Sequence, residues 1–189
     1  GAVPATNCYV TGSVAGEDGV GGLAGYGGVI SDCYTTCSVS GTDAVGGLIG
    51  YGGAVTNCYT EGDITGTGEN IGGLIGRAIG YVTNCHTTGK VTGSTKRIGG
   101  LIGFNDKCDV SDSYATGSVS GATYVGGLVG YNSSILSDTA TVRDCYATGS
   151  VTGINRLLNG HRIHGCAIAD SAVALDVESL RFGSLGRGH

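Results

Sequence analysis

Six of the chain's eight cysteines fall in one recurring slot, preceded by Asn or Asp in all but the last copy and followed in most copies by Tyr. They are Cys8, Cys33, Cys58, Cys85, Cys145 and Cys166, and Ser113 fills the slot once. Thiols repeated in this way could bind a metal, pair as disulfides, or pack as small apolar groups. Zinc lacks its usual pattern, because there is no CxxC pair and His161 and His164 are the only close histidines. Disulfides along the column would give each member two equivalent neighbours, and Ser113 interrupts the series without disturbing the rest, so the spacing favours a ladder of buried thiols. Cys37, where other copies carry glycine, and Cys108, in a loop, are left to pair elsewhere or stay free. They are the thiols expected to react first.

Two further columns carry chemistry. The residues before the cysteine slot are Asn7, Asp32, Asn57, Asn84, Asp112 and Asp144. Asn and Asp share an oxygen on a short arm and a tolerance of left-handed φ, which suits a turn ladder accepting backbone N–H groups. The alternative is calcium, with Asp112 and Asp144 supplying oxygen ligands from neighbouring copies, although Asn at half the positions weighs against it. After the slot come Tyr9, Tyr34, Tyr59, His86, Tyr114 and Tyr146, and a second aromatic series runs Tyr26, Tyr51, Arg77, Phe104 and Tyr131. If the cysteines point inward, alternation along a strand sends Tyr9, Tyr34, Tyr59, Tyr114 and Tyr146 outward. Such a row is either a surface for sugars or a partner protein, or a stack that stabilises neighbouring copies.

Catalytic groupings do not emerge. There is no GxSxG, no HExxH and no Ser/His/Asp constellation, and Glu17, Asp18, Asp43, Glu69, Lys96 and Arg97 are scattered over loops rather than paired in a cleft. The glycines lack the lysine and the strand-to-helix context of a phosphate-cradling loop. The expectation is a non-enzyme with no catalytic residue and no cofactor.

The elements that must position these columns follow from the repeat. "(V/I)GGL(A/I/V)G" begins at Val20, Val45, Ile71, Ile98 and Val125, spacings of 25, 26, 27 and 27 residues, with degenerate copies at Ile154 and Phe182. Glycine supplies 39 of 189 residues, but without a three-residue period and with one proline, which excludes collagen. With 13% charged residues against 40% hydrophobic ones, the chain is too apolar for disorder. Apolar runs of three to six residues rich in Val, Ile, Thr and Tyr read as strands rather than helices, and one copy cannot bury its own apolar face. The expected fold is therefore all-β: a parallel β-solenoid (β-helix) of about seven coils, 25–29 residues per coil. Repeats fill residues 1–153, and degenerate final coils with a C-terminal cap fill 154–189. In it the leucines Leu23, Leu48, Leu74, Leu101, Leu128, Leu157 and Leu185 form a core spine joined by Val14, Val39, Ile64, Val91, Val119 and Val151. The motif glycines supply positive φ and close approach between coils. The lengthening connection at Asn132 to Val142 is expected to project as the most prominent loop.

"VGGLIGYGGAVTNCYTEGDITG" and "VGGLVGYNSSILSDTATVRDCYATGSVTG" closely resemble the GLUG-motif repeats of microbial secreted and cell-surface proteins, over most of residues 1–153. Such repeats occur in adhesin-like proteins and in non-catalytic regions of immunoglobulin A peptidases. The resemblance implies an extracellular or cell-surface structural and adhesive region, with a carbohydrate-binding or carbohydrate-active β-helix as another class. Partners would be a protein or glycan at a surface, or self by head-to-tail stacking into a filament. The start of the chain at a repeat, with no methionine, suggests a portion of something longer. An acidic pI near 5.1 without basic runs argues against nucleic acid, and no apolar stretch of eighteen residues suggests membrane insertion.

Overall fold

The computed structural model describes residues 4–133 and 141–154 and two short strands, Ile163–His164 and Ala167–Ile168. Among them there is no helix; every strand pair is parallel, and the chain winds as a β-solenoid of about five turns rather than seven. Most of the expected sixth and seventh copies, the cap, Leu157, Leu185, Cys166 and residues 134–140 of the loop expected to project lie outside the described residues.

One turn shows the plan. Val45–Gly46 leads into the long strand Ile49–Thr56, a corner at Asn57 and Cys58, the short strand Tyr59–Thr60, and Ile64–Gly66. Each segment pairs with its counterpart one turn away, giving a ten-stranded, a seven-stranded and another ten-stranded sheet. The corners are stacked too, since the leucine N–H groups of Leu48, Leu74 and Leu101 each donate to the next leucine carbonyl at 2.8–2.9 Å.

The interior is two cores, not one spine. Leu48, Leu74 and Leu101 pack with Ile49, Ile75, Ile102 and the cysteine column on one side. The column Val39, Ile64, Val91 and Val119 packs instead with Val45, Ile71, Ile98 and Val125 on the other. Between these lobes run the inward hydroxyls of Thr35, Thr60 and Thr87, which donate to the carbonyls of Gly47, Gly73 and Gly100 at 2.7–2.8 Å. Ala115 and Ala147 continue the threonine column. The motif therefore spells a crossing of the waist: valine in one lobe, two glycines at the bridge, leucine in the other.

This geometry corrects the expected role of the motif glycines. None of them has positive φ; their requirement is space. A Cβ on Gly47, Gly73 or Gly100 would run into the carbonyl oxygen of the second motif glycine on the next turn. One on Gly50, Gly76 or Gly103 would strike the backbone of the turn that precedes a neighbouring motif. Left-handed φ falls instead on Asn7, Asp32, Asn57, Asn84, Asp112 and Asp144, and on Ala44, Asn70, Arg97 and Tyr124 just before the motif. The first set is the type of residue that tolerates it.

At Gly121 the nearest obstacles to a Cβ are side-chain carbons of Ile98 and Val125, at 2.9 and 3.0 Å, rather than a backbone oxygen. Gly73→Ala is therefore expected to destabilise by more than about 3 kcal/mol, at the severe end of overpacking, and Gly121→Ala by clearly less. Chemical denaturation of the two variants checks the order; equal losses would contradict the backbone-contact explanation.

Candidate functional site: the side-chain columns

The cysteine column is a hydrogen-bonded structure. Cys33 Sγ accepts the backbone N–H of Cys8 at 3.2 Å and donates to the Ser31 carbonyl at 3.1 Å. Cys58 Sγ likewise accepts from Cys33 N–H at 3.4 Å and donates to the Thr56 carbonyl at 3.2 Å. Ser113 does the same with oxygen: its hydroxyl accepts from Cys85 N–H at 3.1 Å and donates to the Ser111 carbonyl at 2.7 Å. The slot thus requires a small group that both donates and accepts. Cys33, Cys58, Cys85 and Cys145 are buried and Cys8 is partly exposed. None of Cys8, Cys33, Cys58 and Cys85 is in a disulfide.

Cys37 and Cys108, expected to be the reactive pair, are both fully buried and not in disulfides. Cys37 packs in the valine lobe. Cys108 sits in a bend closed by Asn105, whose Oδ1 accepts Cys108 N–H and whose Nδ2 donates to the Cys108 carbonyl. Burial pushes the Cys108 thiol up to about 12, and burial likewise raises Cys33. Protonated, enclosed thiols are poor nucleophiles.

In the Asn/Asp column the side chains bond to one another. Asn57 Nδ2 donates to Asp32 Oδ1 at 3.0 Å and Asn84 Nδ2 to Asn57 Oδ1 at 2.8 Å. Backbone N–H groups of the column go instead to carbonyls of the next turn. Asp112 and Asp144 stand on adjacent turns, exposed, in the register of Tyr114 and Tyr146. Among the described residues no group of three His, Cys, Asp or Glu gathers to hold a metal ion, so these two carboxylates have no third ligand of that kind beside them.

The first aromatic column is a continuous stack. Tyr9, Tyr34, Tyr59, His86, Tyr114 and Tyr146 follow at centroid distances of 4.7–5.4 Å with ring planes within 10° of parallel. The interior rings use both faces against their neighbours, which leaves their edges and hydroxyls to solvent. Burial lowers the His86 pKa, which favours the neutral imidazole between Tyr59 and Tyr114.

The second column is different. Arg77, in register with Tyr51 and Phe104, places its guanidinium 5.2 Å and 5.1 Å from those ring centroids and pairs with Asp106 at 2.7 Å. Arg97 reaches in from the left-handed turn before the motif and lies 4.9 Å from the Phe104 centroid and 5.2 Å from that of Tyr131. Its guanidinium also pairs with Glu69 at 3.2 Å, which in turn takes Lys96 at 2.9 Å. Sequence reasoning placed Arg77 in this column but did not see Arg97 join it or the inward threonines; the first requires knowing the turn's φ, the second that the strand's next residue faces the waist.

Because Cys58 must accept the N–H of Cys33, Cys58→Ser is expected to be better tolerated than Cys58→Ala, which strands a buried donor at about 1–3 kcal/mol. Thermal melts of both variants check this; the reverse order would show that thiol packing outweighs the hydrogen bonds. Alkylation of the native protein should label Cys8 before any other described thiol.

Residues 67–92, 94–120 and 121–152 each match the family model for the GLUG motif. No curated protein and no solved structure matches the chain. Three consecutive matches coincide with turns whose glycines, leucines and stacked side chains are described above, so residues 67–152 comprise three successive GLUG-motif repeats.

Proposed function

We propose that this chain is a non-catalytic structural and adhesive rod in an extracellular or cell-surface protein. The observation that carries the reading is the in-register stacking of its polar side chains. Thiols, Asn and Asp side chains, buried threonines and the tyrosine row largely spend their hydrogen bonds and ring faces on the turn above or below. Chemistry used for cohesion is not poised for turnover, and a rod built this way holds its surface fixed for a partner. The family match supports the repeat region, and the cell-surface placement extends it by the company GLUG repeats keep.

Edges and hydroxyls of the tyrosine row leave little flat ring area for a sugar to stack on, which favours a structural role for Tyr34, Tyr59 and Tyr114 over a glycan platform. Antibody raised against the purified chain is expected to label intact cells of its source, with the label lost on external protease treatment. Labelling only after permeabilisation would overturn the surface placement. Incubation with a panel of polysaccharides should release no product; release would overturn the non-catalytic assignment.

A further inference from the structure

The column Tyr26, Tyr51, Arg77, Phe104, Tyr131 shows in its own middle what it takes as a neighbour. From Tyr51 to Tyr131 the rings hold guanidinium groups supplied by Arg77 and Arg97. Beside it runs the series Asp18, Asp43, Glu69, Lys96, which follows from the pairing of Val20, Val45, Ile71 and Ile98 two residues further on. There Glu69 finds Lys96 and Arg97. In these turns the chain supplies both the rings and carboxylates and the cations that meet them.

The first turns, around Tyr26, carry ring and carboxylates without the cations. Residues 1–76 contain no Lys or Arg and seven carboxylates, so this stretch is formally −7 while the whole chain is −5 and the remainder +2. Tyr26 is 73% exposed, and its ring is tilted 44° from that of Tyr51. The backbone of Gly19 lies against the Tyr26 ring so closely that a Cβ there would sit 2.7 Å from it. That contact sets the exposed Asp18 and Glu17 one and two residues away along the chain from the point of contact. Val29, on the same strand, is also exposed.

We propose that Tyr26, with Glu17 and Asp18, docks an arginine-bearing segment of a basic partner polypeptide, its guanidinium over the ring as that of Arg77 lies over Tyr51. Charge complementarity selects the occupant: Glu17 and Asp18 belong to a stretch, residues 1–68, with six carboxylates and no Lys or Arg, which attracts a basic chain and repels an acidic one. Arginine suits the site better than lysine because its planar group stacks on a ring while its fork of N–H donors meets carboxylates. A second copy of this chain is a poorer match, since its remainder carries only +2 to set against −7. The proposal does not depend on the rod being adhesive elsewhere; loss of peptide binding would leave the structural reading standing.

The test titrates the whole chain with an acetylated, amidated Gly-Arg-Gly-Arg-Gly-Arg peptide and its Lys and Glu counterparts, by calorimetry at low and raised salt. The Arg peptide is expected to bind more tightly than the Lys peptide, the Glu peptide not at all, and binding should weaken as salt rises. Tyr26→Ala and Tyr26→Leu, checked for unchanged melting, should each weaken binding roughly two- to fivefold, the conversion of about 0.5–1 kcal/mol for an exposed cation–ring contact. Glu17→Gln with Asp18→Asn should weaken it further, and Tyr146→Ala, on the other aromatic column, should leave it unchanged. Equal binding of the Arg and Glu peptides, or full affinity in both Tyr26 variants, would overturn the proposal. So would calcium chloride displacing the peptide at millimolar concentration, which would assign the carboxylates to a metal. Self-association of the chain abolished by Tyr26→Ala would assign the surface to a second copy instead.

Discussion

At the paired glycines of each turn, backbone meets backbone. The carbonyl of Gly73 lies close to where a Cβ of Gly47 would be, and that of Gly100 close to where a Cβ of Gly73 would be, so the glycine wall of the waist has no room for a side chain. The hydroxyls of Thr60 and Thr87 close the same waist by bonding to these carbonyls. With the waist fixed, the valine lobe and the leucine lobe are each held at constant width, and every other residue inherits a place directly above its counterpart. Burial of the two aliphatic lobes then supplies the apolar driving force, which no single copy could obtain alone.

Stacking in register imposes a condition on every column: a residue must tolerate itself above and below. Neutral groups that both donate and accept meet it, which is why Ser113 can replace a thiol in the slot beside the turn without changing its bonds. Rings meet it by lying flat, as from Tyr9 to Tyr146. Opposite charges meet it where a column changes sign, as from Glu69 to Lys96, and a cation meets it between rings, as at Arg77. These are costs that each nearest-neighbour contact settles locally, so turns of different sequence coexist in one rod.

Much of the fold was legible because the repeat is a fixed period with one residue type per column. The strands, their parallel stacking and the inward leucines follow from that alone. The division of the core was not legible, because Val39 and Leu48 are equally apolar and only the path of Gly46 and Gly47 between them separates their lobes. Close approach and left-handed φ both favour glycine, and a sequence does not say which is required; the structure assigns close approach to the motif and left-handed φ to Asn57 and its column. Among candidate site residues, the burial of Cys37 and Cys108 was hidden by their departure from the repeat. An odd residue in a repeat reads as exposed, yet Cys37 fills the valine lobe and Cys108 is enclosed by the side chain of Asn105.

Ring planes that stay within 10° of parallel across six stacked rings have a mechanical meaning. Tilting one turn against the next would open a wedge between two rings and lose part of their contact, whereas rotation about the axis only slides each ring within its own plane. The stack therefore opposes bending toward or away from this face. Extended by further copies, such a rod would act as a stiff beam, holding whatever sits at one end at a set distance from the other.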